Sequence, residues 1–296
     1  MIYKKSPEEI AIMRRGARVL VEVFDRMEEA LKPGVTTGRL DTIARTTMEK
    51  RGAKPSFLGY RGFAGSICAS PNEVIVHGIP GEKLIEEGDI VSLDVGVFLD
   101  GFHVDSAWTF PVGEVDPEAR RLLEVTEAAL YAAISQCHPG RRLGDVGYAV
   151  EKTAEAAGFS IVREYVGHGI GRNLHEDPQI PNYGPPGRRE LLASGMTVAI
   201  EPMVNAGGGG TVALSDGWTV VTADGSLSAH FEHTIAILPE GPEVLTERSG
   251  ASREAGEASD MLPGRPNPLF SRVPEGAPVT GGPGHSMRDH GVVARG

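Results

Sequence analysis

The sequence has few cysteines, no strongly basic segment and no long apolar run, and each absence excludes a class of protein. Its two cysteines, Cys68 and Cys137, allow at most one disulfide, which fits a reducing cytoplasm. The formal net charge of -11 argues against a protein that binds nucleic acid or an anionic membrane. No apolar run approaches the length of a membrane span, and the residues after Lys5 do not form a signal peptide. We therefore expect a soluble, cytoplasmic protein.

What the sequence does contain is a set of amphipathic helices with clear ends. Ser6 is an N-cap residue followed by a proline and by a glutamate at the third position, so a helix begins there. Its apolar stripe, with steps of three and four residues, ends at Gly34. A second helix follows Thr36 and ends at Gly52, and a third is predicted from about Pro117 to Cys137.

The segment that holds the second helix occurs twice. PGVTTGRLDTIARTTMEKRGA, from Pro33, aligns without a gap on PGRRLGDVGYAVEKTAEAAGF, which begins 106 residues later at Pro139. The matched residues include the glycines that set turns and helix ends. We infer one duplication of a unit of two helices followed by strands, with the strands of the two halves around a pseudo-twofold axis. The same shift places Asp94 one residue from Glu201.

Short β-type segments divided by glycine and proline follow a fourth helix, which the second copy of the duplicated segment predicts. They are predicted at Ile161–Val166, Thr197–Glu201, Trp218–Thr222 and Ser228–Leu238. We expect an α+β domain over residues 1–248, in which a mixed or antiparallel sheet is backed by four helices. Residues 249–296 are rich in glycine and proline without apolar periodicity, which predicts a disordered tail.

The stretch IVSLDVGVFLDGFHVDSAWTF predicts a β-hairpin, because an Asp-Gly pair separates two apolar, β-branched runs. With Asp100 and Gly101 in the turn, Asp105 faces Gly96. Asp94 and Asp105 then lie on the same face as diagonal neighbours. Two adjacent carboxylates on an apolar sheet repel each other and need a compensating cation. Two solvent-facing aspartates on an edge ribbon are the alternative.

Later strands supply further donors. His168 stands among glycines, where the backbone can crowd a ligand, Glu201 ends an apolar strand, and Glu232 lies within a β-type segment. Each alone could be an ordinary exposed residue. Together with the two aspartates they form an oxygen-rich set that suits two divalent ions sharing bridging carboxylates. Two close metal ions activate water and polarise a carbonyl, so the set indicates hydrolysis.

Several motifs together resemble one known family. They are SICASPNEVIVHGIP from Ser66, LDV and DGFHVDS in the hairpin, YVGHGIGRNLHEDP from Tyr165, AIEPMV from Ala199 and SAHFEHTIAI from Ser228. The chain resembles the type I methionine aminopeptidases of the bacterial short form, which have the pita-bread fold. The resemblance runs from the first helix to about Glu247.

The resemblance implies a ligand set and catalytic roles. The metal ligands would be Asp94, Asp105, His168, Glu201 and Glu232, with two of them, Asp105 and Glu232, bridging two divalent ions. The ions could be Co, Mn, Fe or Zn.

The resemblance also implies that His77 and His175 sit beside the substrate. Glu201 would relay a proton, His175 would donate to the developing oxyanion, and His77 would contact the scissile amide.

A pocket for the methionine side chain is implied as well. It maps onto Phe57, Tyr60, Phe63, Cys68, Leu174 and Trp218. Methionine favours aromatic surfaces and soft sulfur, so this lining is suitable. Ordinary core packing is the alternative for the aromatic residues.

The expected function is therefore removal of the initiator methionine from nascent proteins whose second residue is small. A monomer is expected, with possible ribosome association and no binding to membranes or nucleic acid. One alternative is a proline-specific aminopeptidase or prolidase, which normally carries a large extra N-terminal domain. The other is an inactive binding protein of the same fold, although such relatives lose ligands and all five are present here.

Overall fold

Four α-helices form in the computed structural model, which describes residues 1–248. They are α1 (Pro7–Ala30), α2 (Thr37–Lys50), α3 (Pro117–Ile134) and α4 (Leu143–Ala156). Ser6 caps α1 as predicted, because its hydroxyl accepts the N–H of Glu9 and the Glu9 carboxylate accepts the N–H of Ser6. α3 ends at Ile134, three residues before the predicted end at Cys137. The N–H of Cys137 donates to the carbonyl of Ile134, three residues earlier, which is a tighter turn than that of an α-helix. The tail predicted at residues 249–296 lies outside the described residues.

The sequence repeat has a structural counterpart. α2 and α4 have the same length, and they begin and end at positions that differ by 106. Before each of them a glycine takes the left-handed backbone conformation, Gly34 at φ 89° and Gly140 at φ 90°. The same local backbone therefore serves both halves, as a duplicated unit requires.

The strands are short, apart from one long hairpin. They are β1 (Lys54–Pro55), β2 (Cys68–Pro71), β3 (Val74–Val76), β4 (Ile90–Leu99), β5 (Phe102–Pro111), β6 (Ser160–Ile161), β7 (Gly167–Gly169), β8 (Glu176–Ile180), β9 (Thr197–Ile200), β10 (Met203–Asn205), β11 (Thr211–Ala213), β12 (Val220–Thr222), β13 (Ser228–His230), β14 (His233–Leu238) and β15 (Gly241–Val244). β4 pairs with β5 on one edge and with β1 and β2 on the other. A five-stranded sheet has the order β15-β14-β9-β7-β8, and two three-stranded sheets have the orders β13-β10-β6 and β11-β12-β3.

Every pairing between these strands is antiparallel. The predicted α+β class, with an antiparallel sheet system backed by helices, is confirmed.

Two predicted strands are clearly shorter in the structure. The strand expected at 161–166 is reduced to the two residues of β6, because Arg163 turns outward and its guanidinium binds the carboxylate of Glu151. The strand expected from Trp218 begins only at Val220, because the carboxylate of Asp216 accepts the N–H of Trp218 and of the next residue.

The strand predicted at 228–238 is broken into β13 and β14. Between them, the N–H of Glu232 leaves the ladder and donates to the carbonyl of Ala107 at 2.8 Å. The break therefore places Glu232 beside the hairpin of the other half of the chain.

Each helix pair covers its own core. One cluster of buried side chains joins α1 and α2 to the β4–β5 hairpin and includes Met13 and Phe24. The other joins α3 and α4 to the five-stranded sheet and includes Leu122 and Val198. Trp108 contacts both clusters, so the hairpin lies between the halves. Within residues 1–248 no helix combines the length and apolar character that a bilayer crossing requires.

Candidate active site

The hairpin holds two aspartates in the predicted register. Gly96 pairs with Asp105 and Asp94 pairs with Ala107, so the two carboxylates share one face. Asp105 is 4% exposed, and its carboxylate contacts that of Asp94. The edge-ribbon alternative, in which both face solvent, is wrong.

The second half of the chain brings three more donors to the same place. His168 lies in the middle of β7, Glu201 follows β9 directly, and Glu232 lies between β13 and β14. Ligand atoms of Asp105, His168 and Glu232 all lie within 4.8 Å of one another. Nε2 of His168 is 3.6 Å from Oε1 of Glu201. All five predicted ligands, including Asp94, line one cavity.

The orientation of His168 is set by its backbone surroundings. Its Nδ1 lies 2.9 Å from the carbonyl oxygen of Gly169, which fixes the proton on Nδ1 and leaves the lone pair of Nε2 facing the carboxylates. Burial lowers the pKa of His168 to about 4, so the ring is neutral. A neutral imidazole with Nδ1 bound to a carbonyl is the usual form of a metal-binding histidine.

The glycines beside His168 serve strand packing. A Cβ on Gly167 would lie 2.4 Å from the carbonyl oxygen of Ala199 in β9, and one on Gly169 would lie 2.2 Å from that of Asp177 in β8. The sequence suggested that these glycines admit a ligand. The structure shows instead that they let β7 fit between its two neighbouring strands.

The carboxylates are costly to bury without a cation. Burial raises the pKa of Asp105 to about 7. It also raises the pKa of Asp94, Glu201 and Glu232, with a further contribution from the neighbouring acidic groups. Oδ1 of Asp94 and Oε1 of Glu232 are buried and have no hydrogen-bond partner among the described residues. Buried oxygens left in this state fit a site for positive ions.

Two further histidines line this cavity. His77 takes a left-handed backbone at φ 60°, and its ring meets those of Tyr165 and Trp218 edge-on. The ring centroid of His175 is 4.2 Å from that of His168, and its Nδ1 is 3.0 Å from the hydroxyl of Tyr60.

Both histidines are neutral. Desolvation at the cavity wall is the main cause that lowers the pKa of His175 to about 3, and the neighbouring His168 is the second. Burial also lowers the pKa of His77. Each can therefore donate one N–H to a ligand in the cavity.

The rest of the cavity wall is largely apolar. All six residues predicted for the methionine pocket line it: Phe57, Tyr60, Phe63, Cys68, Leu174 and Trp218. The rings of Phe63 and Trp218 meet edge to face at 5.1 Å. Burial, together with Asp94 and Asp105, raises the pKa of the Cys68 thiol, which makes it a packing group and not a nucleophile.

Three cavity residues were not predicted from the sequence. They are Val76, Tyr165 and Val166. Each is next to or within three residues of a predicted histidine, so proximity along the chain to His77 and His168 was the available signal. Residues around a strand end are apolar for many reasons, and this signal alone is weak.

Comparison with known proteins places this geometry in a family. A model described as metallopeptidase family M24 matches residues 11–239. Methionine aminopeptidase 1 of Bacillus subtilis (strain 168) is 52% identical over 246 residues, which cover 83% of this chain and 99% of that protein. The crystal structure of methionine aminopeptidase from Rickettsia prowazekii matches with a TM-score of 0.82 at 42% identity, over 83% of this chain and 100% of that one.

A more distant match separates fold from activity. A prolidase from Pyrococcus furiosus is similar at 21% identity with a TM-score of 0.68, and this chain covers 66% of it. That likeness concerns the fold alone. The pita-bread fold expected from the sequence motifs is confirmed by the structural matches.

Proposed function

The chain belongs to metallopeptidase family M24, and we propose that it is the methionine aminopeptidase that removes the initiator methionine from nascent proteins whose second residue is small. The observation that carries this proposal is the cavity itself. A buried group of four carboxylates and one neutral imidazole lies against a wall of aromatic side chains and the Cys68 thiol. The first part suits metal-dependent hydrolysis, and the second suits a methionine side chain.

The donor set fits two divalent cations. Asp94, Asp105 and Glu232 would hold one ion, and Asp105, His168, Glu201 and Glu232 would hold the other, so that Asp105 and Glu232 would serve both. Oxygen donors with one imidazole suit Co, Mn, Fe or Zn. When bound, the ions supply Lewis acidity, which polarises a carbonyl and lowers the pKa of water.

The chain's own residues position the substrate and move protons. Glu201 lies beside His168 and relays a proton between water and the leaving amine. His175 has its Nδ1 at the Tyr60 hydroxyl, which leaves Nε2 to donate to the oxygen of the carbonyl under attack. His77, whose ring packs edge-on against those of Trp218 and Tyr165, contacts the scissile amide.

The apolar wall selects the first residue of the substrate. Phe57, Phe63 and Trp218 supply aromatic faces, and Cys68 supplies a buried sulfur next to them. An unbranched thioether adapts to such a lining. The neighbouring carboxylates also attract the substrate's terminal ammonium group.

The site of action is proposed to be the cytoplasm, with nascent chains reached near the ribosome and the enzyme acting as a monomer. Both cysteines are unpaired, and each is buried. Free thiols of this kind are ordinary in a reducing compartment. All residues proposed for the site lie within the predicted domain of residues 1–248.

The experiment is methionine release from short peptides before and after chelation. We expect release from Met-Ala and Met-Gly peptides, loss of activity with a chelator, and recovery when Mn²⁺ or Co²⁺ is added. Asp105→Asn serves as the inactive control. Cleavage of peptides with proline at the second position, without cleavage of Met-Ala, would favour the proline-specific alternative. Absence of any release with metal present would favour an inactive binding protein.

A further inference from the structure

Two buried threonines join the halves of the fold, and each makes its own pair of hydrogen bonds to the main chain of a residue in the other half. The Oγ1 of Thr234 in β14 accepts the N–H of Asp105 at 2.9 Å and donates to the carbonyl of Asp105 at 2.7 Å. The Oγ1 of Thr109 in β5 accepts the N–H of His230 at 2.9 Å and donates to the carbonyl of His230 at 2.8 Å. We call each arrangement a hydroxyl clamp. In one clamp a threonine of the second half binds the main chain of the first half. In the other clamp a threonine of the first half binds the main chain of the second half.

The register of the hairpin explains why a clamp is needed. Pairs along an antiparallel hairpin alternate between hydrogen-bonded and non-hydrogen-bonded, and Leu99–Phe102 beside the turn is hydrogen-bonded. Asp105 and Gly96 form a non-hydrogen-bonded pair, so the peptide groups of Asp105 point away from β4. They face β14, which forms no ladder with β5 among the described strands. The Thr234 hydroxyl supplies the hydrogen bonds that a neighbouring strand would otherwise make.

The main chain of Glu232 is held from the other side. The hydroxyl of Ser106 donates to the carbonyl of Glu232 at 2.6 Å, and the N–H of Glu232 donates to the carbonyl of Ala107 at 2.8 Å. The two proposed bridging residues, Asp105 and Glu232, are therefore each bound through the backbone by a neighbour of the other. Thr234 is 0% exposed and Ser106 is 1% exposed, so water does not compete for these bonds.

From this arrangement we propose that Thr234 is a positioning residue for the metal site, acting through the backbone of Asp105 to fix its distance from Glu232. The inference rests on the proposed function. Without a cation the two carboxylates repel each other, and the clamp resists their separation. Without the clamp the carboxylates move apart, and a cation must first draw them together. Groups that orient metal ligands in this way typically change metal affinity by about 10- to 100-fold.

Thr109 provides a matched control. Its clamp makes the same two hydrogen bonds across the same pair of halves, but it holds His230, whose side chain does not line the cavity. Thr234→Val removes two buried hydrogen bonds, and Thr109→Val removes the two equivalent bonds by the same near-isosteric change together with a third, since its Oγ1 also lies 2.8 Å from Oγ of Ser92. Thr234→Ser keeps the hydroxyl and should restore the wild-type behaviour.

The test is titration of the metal-free full chain with Mn²⁺ by calorimetry, with the melting temperature of each metal-free variant measured in parallel. We expect Thr234→Val to raise the Kd for Mn²⁺ by at least about 10-fold, Thr234→Ser to stay within about twofold of wild type, and Thr109→Val to do the same. Thr109→Val should lose at least as much melting temperature as Thr234→Val, because it loses one buried hydrogen bond more.

Four outcomes would overturn the inference. Wild-type affinity in Thr234→Val, or an equal loss of affinity in Thr109→Val, would show that the clamp does not position the site, while the proposed function stands. Failure of the wild type to bind Mn²⁺, and likewise Co²⁺, Fe²⁺ and Zn²⁺, would overturn both. If Thr234→Val does not fold, Ser106→Ala tests the same inference through Glu232, and unchanged affinity in that variant would contradict it.

Discussion

Lys5 and Glu176 form an ion pair at 2.5 Å whose side chains are only 4% and 2% exposed. It joins the segment before α1 to the start of β8, directly after His175. Its remaining groups are also engaged, since Nζ of Lys5 donates to the carbonyl of Tyr3 at 3.3 Å and Oε1 of Glu176 accepts the N–H of Asn173 at 3.1 Å. A buried pair of this kind is far more costly to break than to remove entirely.

Lys5→Met should lower the free energy of unfolding by about 3 to 5 kcal/mol, because it leaves the Glu176 carboxylate buried without a cation. The double variant Lys5→Met, Glu176→Leu should recover most of that loss. Urea unfolding measures both. The exposed pair Arg15–Asp100, with side chains 51% and 57% exposed, is the control: Arg15→Met should cost less than about 1 kcal/mol. Equal losses in the two single variants would argue against the role of burial.

Asp105→Asn and Glu201→Gln should each reduce methionine release to background and leave the fold near intact. Each substitution removes a negative charge with little change in volume, so it weakens cation binding without opening a cavity. Peptide release assays measure the loss, and circular dichroism checks the fold. Full activity in either variant would contradict the assigned ligand set.

The metal-free protein should show a pH-dependent difference between wild type and Asp105→Asn. Burial raises the pKa of Asp105 from 3.8 to about 7, so its contribution to stability is complete below about pH 4 and is lost as the pH rises through about 7. His168, with its pKa lowered to about 4, acts in the opposite sense, but it is present in both proteins.

Urea unfolding in chelator should therefore show Asp105→Asn gaining stability over wild type, by up to about 4 kcal/mol between pH 4 and pH 8. Saturating Mn²⁺ should remove or reverse this gain, since the cation then stabilises the carboxylate. A stability difference between Asp105→Asn and wild type that stays constant with pH would show that burial does not raise the pKa of Asp105.

Tyr60→Phe should lower kcat by about 3- to 10-fold with little change in KM. The ring still lines the cavity, but the hydroxyl that lies 3.0 Å from Nδ1 of His175 is lost. One hydrogen bond of this type contributes about 0.5 to 1.5 kcal/mol. Steady-state kinetics on a Met-Ala peptide separates the two parameters. A rise in KM at constant kcat would assign the hydroxyl to substrate binding instead.

Much of the local structure was predictable because local rules decide it. Ser6 and the glutamate after it mark a helix start, and Asp100-Gly101 fixes the hairpin register to the residue. The duplicated segment was also predictable from the sequence, since Gly34 and Gly140 need the same left-handed backbone. Strand ends were less predictable. The break at Glu232 depends on a carbonyl of Ala107, which is distant in the chain.

By itself, the sequence determined the helices, the hairpin that aligns Asp94 with Asp105, and, through its motifs, which five donors to consider. Only the tertiary structure decided that these donors share one buried cavity, that the glycines around His168 serve strand packing, and that Thr234 holds the backbone of Asp105. The physical reason is the separation along the chain over which each interaction acts. Caps and tight turns form within a few residues, whereas the desolvation and repulsion that make a cation site arise only when distant strands bury their carboxylates together.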